Sequence, residues 1–135
     1  MNEPNKVILH VSATRDVGNY VDAELIRQWH LDRGWSDIGY HYVIKRDGTI
    51  ENGRPTTKYG AHTLGQNRDS IGICLVGTKE FTYEQIQSWK KLAKKMYQDY
   101  AIEDDQWYGH YTFANKDCPN ICNELIREIV RTSIF

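Results

Sequence analysis

The chain is predicted to fold as one α/β domain, with a central mixed β-sheet flanked by helices. Short β-branched and apolar runs alternate along it with stretches of helical periodicity, the pattern of a layered α/β sheet. One run, Ile71-Gly72-Ile73-Cys74-Leu75-Val76, is apolar without interruption and reads as a central strand covered by helices on both faces. The pair Asp47-Gly48 between two strand-like runs is a strong hairpin signal.

The first strand is Lys6-Val7-Ile8-Leu9-His10-Val11-Ser12. Strict alternation puts His10 on the face opposite Leu9 and Val11, near the strand's carboxyl end. Asp22 is a plausible N-cap for a short amphipathic helix carrying Leu25, Ile26 and Trp29 until Gly34 stops it. Tyr40 to Lys45 alternates as a strand, with Tyr40 and Tyr42 on one face and His41 on the other, and Thr49-Ile50-Glu51 begins the return strand. Residues 52–69 are rich in Gly, Thr, Asn and Arg, too long and polar for a hairpin turn, and read as a functional loop containing His62. After the apolar strand comes the clearest helix. Thr82 caps it, Gln85 completes a capping box, and Phe81 with Ile86 forms a hydrophobic staple. Its apolar stripe is Ile86, Trp89, Leu92, Ala93, Met96, Tyr97 and Tyr100. Trp107 to Tyr111 is a short aromatic strand ending near His110, residues 115–119 form a loop, and a last helix carries Leu125, Ile126, Ile129 and Val130.

At 135 residues the chain is long enough for one core and too short for a catalytic unit plus a separate binding module, so residues 1–135 are read as a single domain. No linker or repeat is visible. The net charge of −1, from 17 basic and 18 acidic residues, gives no electrostatic footprint for nucleic acid or an anionic membrane. Lys90, Lys91, Lys94 and Lys95 cluster at helical spacing and read as the solvated face of one helix. The amino-terminal residues lack a signal-peptide pattern, and no segment is long enough to span a bilayer, so synthesis in the cytoplasm and no membrane insertion are expected. A monomer is the expectation. Three cysteines, an odd number without an export signal, argue for reduced thiols. Cys74 reads as a small core residue, and Cys122 is assigned no role.

His10, His110 and Cys118 form a candidate metal set, with Lys116 two residues before the cysteine. Catalytic zinc sites keep three protein ligands and leave the last position open. His110 and Cys118 are close around one loop, but His10 comes from the far end of the chain. A single histidine in an apolar strand is more commonly a hydrogen-bonded core residue, so spacing alone leaves both readings of His10 open.

Four collinear segments carry a resemblance. They are Leu9-His10-Val11-Ser12-Ala13-Thr14; Ile26-Arg27-Gln28-Trp29-His30 with Gly34-Trp35; Gly39-Tyr40-His41-Tyr42-Val43-Ile44-Lys45-Arg46-Asp47-Gly48; and Gly60-Ala61-His62 through Asn67 to Ser70-Ile71-Gly72-Ile73-Cys74-Leu75-Val76-Gly77. The fourth is joined later by His110 and Lys116-Asp117-Cys118-Pro119. Together they cover most of the chain, which resembles the zinc-dependent N-acetylmuramoyl-L-alanine amidases of the phage T-seven lysozyme type, relatives of the peptidoglycan recognition proteins. The resemblance implies one zinc ion held by His10, His110 and Cys118, with Tyr40 and Lys116 as catalytic side chains. Within the family a serine at the last ligand position marks members that bind peptidoglycan without cutting it; this chain has Cys118.

A zinc ion in such a set activates water and polarises a carbonyl, the two requirements of amide hydrolysis. A cation placed where negative charge develops stabilises the transition state more than the ground state, which suits Lys116. Tyr40 has a phenol able to hydrogen-bond the attacking water or the oxyanion, and its role is left open. His62 is taken to line the substrate groove, while His30 and His41 are excluded from the metal set. The function implied is hydrolysis of the bond between N-acetylmuramic acid and L-alanine in peptidoglycan. Small size and the missing export signal suggest an endolysin made in a phage host's cytoplasm and acting on the wall after release. The alternatives are a cytoplasmic muropeptide-recycling amidase and a non-catalytic peptidoglycan-binding protein.

Overall fold

The computed structural model describes residues 2–134. In chain order the elements are β1 (Lys6–Val11), α1 (Ala23–Asp32), β2 (Tyr42–Ile44), β3 (Ile50–Asn52), β4 (Ser70–Leu75), α2 (Tyr83–Tyr100), β5 (Trp107–Gly109) and α3 (Asn123–Ile134). They build one five-stranded sheet in the order β3-β2-β4-β1-β5. Only β2 and β3 run antiparallel; the β2–β4, β4–β1 and β1–β5 pairs are parallel, so the sheet is mixed as expected.

The two faces of the sheet are covered differently. Val7, Leu9, Ile71 and Ile73 join Trp89 and Met96 of α2 and Ile126 and Val130 of α3 in the larger core. Burying each such side chain is worth ~1.5–3 kcal/mol. On the other face Val43, Cys74 and Val76 pack against Ile26 of α1. Every residue of β4 is buried, which is why from Ile71 onward its sequence is an apolar run rather than an alternation.

Local chemistry sets the boundaries. Asp22 caps α1 by accepting from the Leu25 N–H at 2.8 Å. Thr82 and Gln85 form the reciprocal capping box that starts α2. Gly48 closes the β2–β3 hairpin at φ +90°, where a Cβ would stand 2.9 Å from the Glu84 backbone, so the turn needs glycine twice over.

Several expectations shift. The strand predicted from Tyr40 begins at Tyr42, because the chain before it is held by other partners: the Tyr40 carbonyl accepts from Arg54 N and the His41 carbonyl from Gly53 N. Tyr40 and Tyr42 therefore do not share a face; Tyr42 belongs to the larger core, and Tyr40 packs against the cluster under α1. The strand predicted over 107–111 ends at Gly109, and His110 opens a 3-10 turn, His110–Thr112. On α2 the buried stripe contains Gln85 and Ser88, whereas Tyr97 is 37% exposed. Lys91, Lys94 and Lys95 are exposed, as a solvated face requires. Among the described residues no helix is long and apolar enough to cross a membrane.

Candidate active site and metal centre

β1 and β5 lie side by side and parallel, so their carboxyl ends open at the same edge of the molecule. In open α/β sheets that edge is where ligands bind. His10 is the penultimate residue of β1, and His110 follows directly after β5. The chain then loops back through Lys116 to Cys118, held by a bond from Tyr111 N to the Cys118 carbonyl at 2.8 Å. The ligand atoms of His10, His110 and Cys118 all lie within 4.8 Å of one another. Residues from the first strand and from the loop after the last thus converge because β1 and β5 are neighbours.

The donor set suits a borderline-soft divalent ion such as zinc, being two imidazoles and a thiol. Both imidazoles are kept neutral, with lone pairs available for a metal. Burial, then the proximity of His62, His110 and Lys116, pushes His10 well below its ordinary value of 6.5. Burial and Lys116 lower His110 as well. Burial raises the Cys118 thiol, while the Val11 N–H, 3.2 Å from Sγ, and the Lys116 charge pull it down. A divalent cation here would supply the remaining charge that a thiolate needs.

Tyr40 stands beside this cluster, its ring centroid 5.1 Å from that of His10. Burial pushes its phenol well above 10, and the neighbouring Cys74 and Cys118 add to the effect. It therefore keeps its proton and serves as a hydrogen-bond donor. Lys116 is exposed on the loop and lines a cleft of about 420 Å³ with Tyr111, Asn115, Asp117 and Asn120. A second cleft, about 360 Å³, runs past Val11, Ala13 and Thr78 to Cys118 and shares Asp117 and Asn120 with the first. Cys118 thus lines one cleft and Lys116 the other, and the two clefts meet at Asp117 and Asn120.

The remaining histidines are internal. His30 accepts from Gly39 N at 2.9 Å, and burial lowers it to about 4. His41 accepts from Gly72 N through Nδ1, and its Nε2 meets the Lys58 carbonyl. Neither belongs to the metal cluster. His62, expected on the groove surface, instead lies beneath His10, only 9% exposed, with its Nδ1 2.9 Å from His10 Nε2. The loop that carries it folds inward because Asn67 Oδ1 accepts from both His62 N and Thr63 N.

Sequence reasoning missed three features. Asp117 and Asn120 flank Cys118 closely enough in sequence to have been flagged as groove residues. Cys74 is the ladder partner of His10, and its thiol meets the Tyr40 hydroxyl; only the strand register reveals this.

Comparison with known proteins agrees with this geometry. The chain is 41% identical over 122 residues to the endolysin of Enterobacteria phage T3, an alignment covering 84% of this chain and 79% of that protein. The solved structure of the N-acetylmuramoyl-L-alanine amidase LysC from Clostridium intestinale superposes with a TM-score of 0.83 at 31% identity, covering 94% of this chain and 85% of the other. Drosophila PGRP-LB superposes with a TM-score of 0.79 at 28% identity, covering 100% and 84%. The model of the N-acetylmuramoyl-L-alanine amidase family matches residues 1–121, and the chain belongs to that family.

Proposed function

We propose that the protein hydrolyses the amide bond between N-acetylmuramic acid and L-alanine in peptidoglycan, as an endolysin made in a phage host's cytoplasm, with one zinc ion held by His10, His110 and Cys118. The observation that carries this reading is the convergence of two neutral imidazoles and a thiol within 4.8 Å, with the thiol's residue, Cys118, lining a cleft. When bound, zinc supplies a Lewis acid that activates water and polarises the scissile carbonyl.

The chain's own residues supply the rest. His10 and His110 offer bare nitrogens at neutral pH, and the Val11 N–H stabilises charge on Cys118 Sγ. Tyr40, as a phenol, donates a hydrogen bond toward the reacting carbonyl or water. Lys116 brings a positive charge to the groove rim, where it offsets the negative charge that develops on the carbonyl oxygen. Asp117 and Asn120, common to both clefts, are placed to contact the stem peptide.

The test is mass spectrometry of purified sacculi digested by the protein, by the chelated protein, and by the protein with zinc restored. Stem peptides beginning at L-alanine, lost on chelation and regained with zinc, are the expected result. Intact sacculi in the zinc-restored sample would overturn the reading.

A further inference from the structure

A buried chain of side chains runs away from the groove behind His10: His10, His62, Ser70 and the Gln66 carbonyl. Its protons can be counted from one end. Ser70 has a single hydroxyl hydrogen, and Oγ donates it to the Gln66 carbonyl at 2.6 Å. At the neighbouring His62 Nε2, 3.2 Å away, Ser70 Oγ can then only accept. His62 Nε2 therefore carries a hydrogen. The ring is buried, and its nitrogens meet only Ser70 Oγ, Thr63 Oγ1 and His10 Nε2, none of them an anion, so it carries that one hydrogen and its Nδ1 is bare. That bare nitrogen lies 2.9 Å from His10 Nε2. Two lone pairs at this distance would repel, so His10 Nε2 carries a hydrogen and donates it. Thr63 Oγ1, 3.3 Å from His10 Nε2 and 3.0 Å from His62 Nδ1, fits the same assignment. The remaining nitrogen of His10, Nδ1, is left with its lone pair free.

The His62 ring is also confined. A Cβ on Gly60 would lie 2.5 Å from its Cδ2, and one on Gly72 2.6 Å from it, so two glycines make the slot it occupies. We propose that His62, backed by Ser70, is a positioning residue that fixes the tautomer and ring orientation of His10 for metal binding. This rests on the reading of His10 as a metal ligand. Metal-bound histidines commonly donate their other N–H to a carboxylate or a carbonyl. Here the acceptor is a neutral imidazole, which orients His10 without adding negative charge, leaving the cation's positive charge to act on the substrate.

The experiment is a chelator-competition titration of zinc into the full-length apo protein and its His62→Leu, His62→Asn and His10→Ala variants, with circular dichroism to establish folding. Asparagine places Oδ1 close to the position of the histidine Nδ1 and keeps the acceptor. We expect His62→Leu to bind zinc ~10–100-fold more weakly than the wild type, and His62→Asn to recover most of that loss. Wild-type affinity in a folded His62→Leu variant, or equal weakening in both His62 variants, would overturn the proposal. Nitrogen-15 spectra of the wild-type apo protein test it without any substitution: His10 and His62 should both appear as Nε2–H tautomers, and an Nδ1–H tautomer at either would overturn it. Unchanged zinc affinity in His10→Ala would overturn the metal-centre reading itself, and the relay with it.

Discussion

Lys116 and Cys118 are two residues apart on one loop, yet substituting them should damage different steps. Cys118 Sγ is half-buried against the Val11 N–H and belongs to the metal cluster, whereas the Lys116 side chain is exposed at the groove rim. Cys118→Ser replaces the soft donor and should lower zinc content and activity together, with activity falling at least ~100-fold. Lys116→Ala should leave zinc content unchanged and lower kcat ~100–1000-fold, the effect of removing one group that stabilises an oxyanion. Metal analysis alongside kinetics separates the two; a Lys116→Ala enzyme with full kcat would remove Lys116 from the chemistry. Both residues were legible in the sequence through their neighbours. His62 was legible as a residue but not as a role, because its partner His10 lies 52 positions away and only the folded loop brings them together.

At the level of the element, α2 does more than cover the sheet. Gln85, fully buried in its first turn, donates from Nε2 to the Val76 carbonyl at 2.8 Å and to the Ile44 carbonyl at 3.3 Å, while its Oε1 accepts from Thr82 N. One side chain thus caps the helix and ties it to the ends of β2 and β4. Gln85→Ala would leave the Val76 carbonyl buried without that donor and should cost about 2–3 kcal/mol in urea denaturation; a loss under ~0.5 kcal/mol would show that water replaces it. The capping box was readable from Thr82 and Gln85 alone, since its geometry is local. The burial of Gln85 was not, because the carbonyls it satisfies belong to distant strands.

At the scale of the whole molecule, all five histidines are held below their ordinary value of 6.5, with burial the leading cause for each. His30 is lowered to about 4 and His62 to about 3. Between those values and 6.5 the unfolded chain binds protons that the folded chain refuses. Stability is therefore full above pH 6.5 and falls as the pH drops below it. The loss should be steeper than the ~1.4 kcal/mol per pH unit of a single proton. Urea denaturation of the apo protein from pH 7 to 4 checks this, and a flat profile would contradict the buried, neutral state of these rings. For His30, burial and the nearby Arg33 and Arg54 charges lower the value, and Nδ1 accepts the Gly39 N–H, a bond that a proton on that nitrogen would break.

The sequence by itself determined the fold class, the helix starts, the hairpin and the family, because periodicity, caps and turn residues act over a few positions and collinear motifs survive without coordinates. It also named His10, His110 and Cys118, but only through resemblance. Tertiary structure alone decided that these three meet, that Tyr40 leaves the strand to stand beside them, and that His62 lies behind His10 rather than in the groove. The physical reason is strand order and register. Placing β1 between β4 and β5 is a long-range choice made by the whole core, and no local pattern in the chain encodes which strands become neighbours.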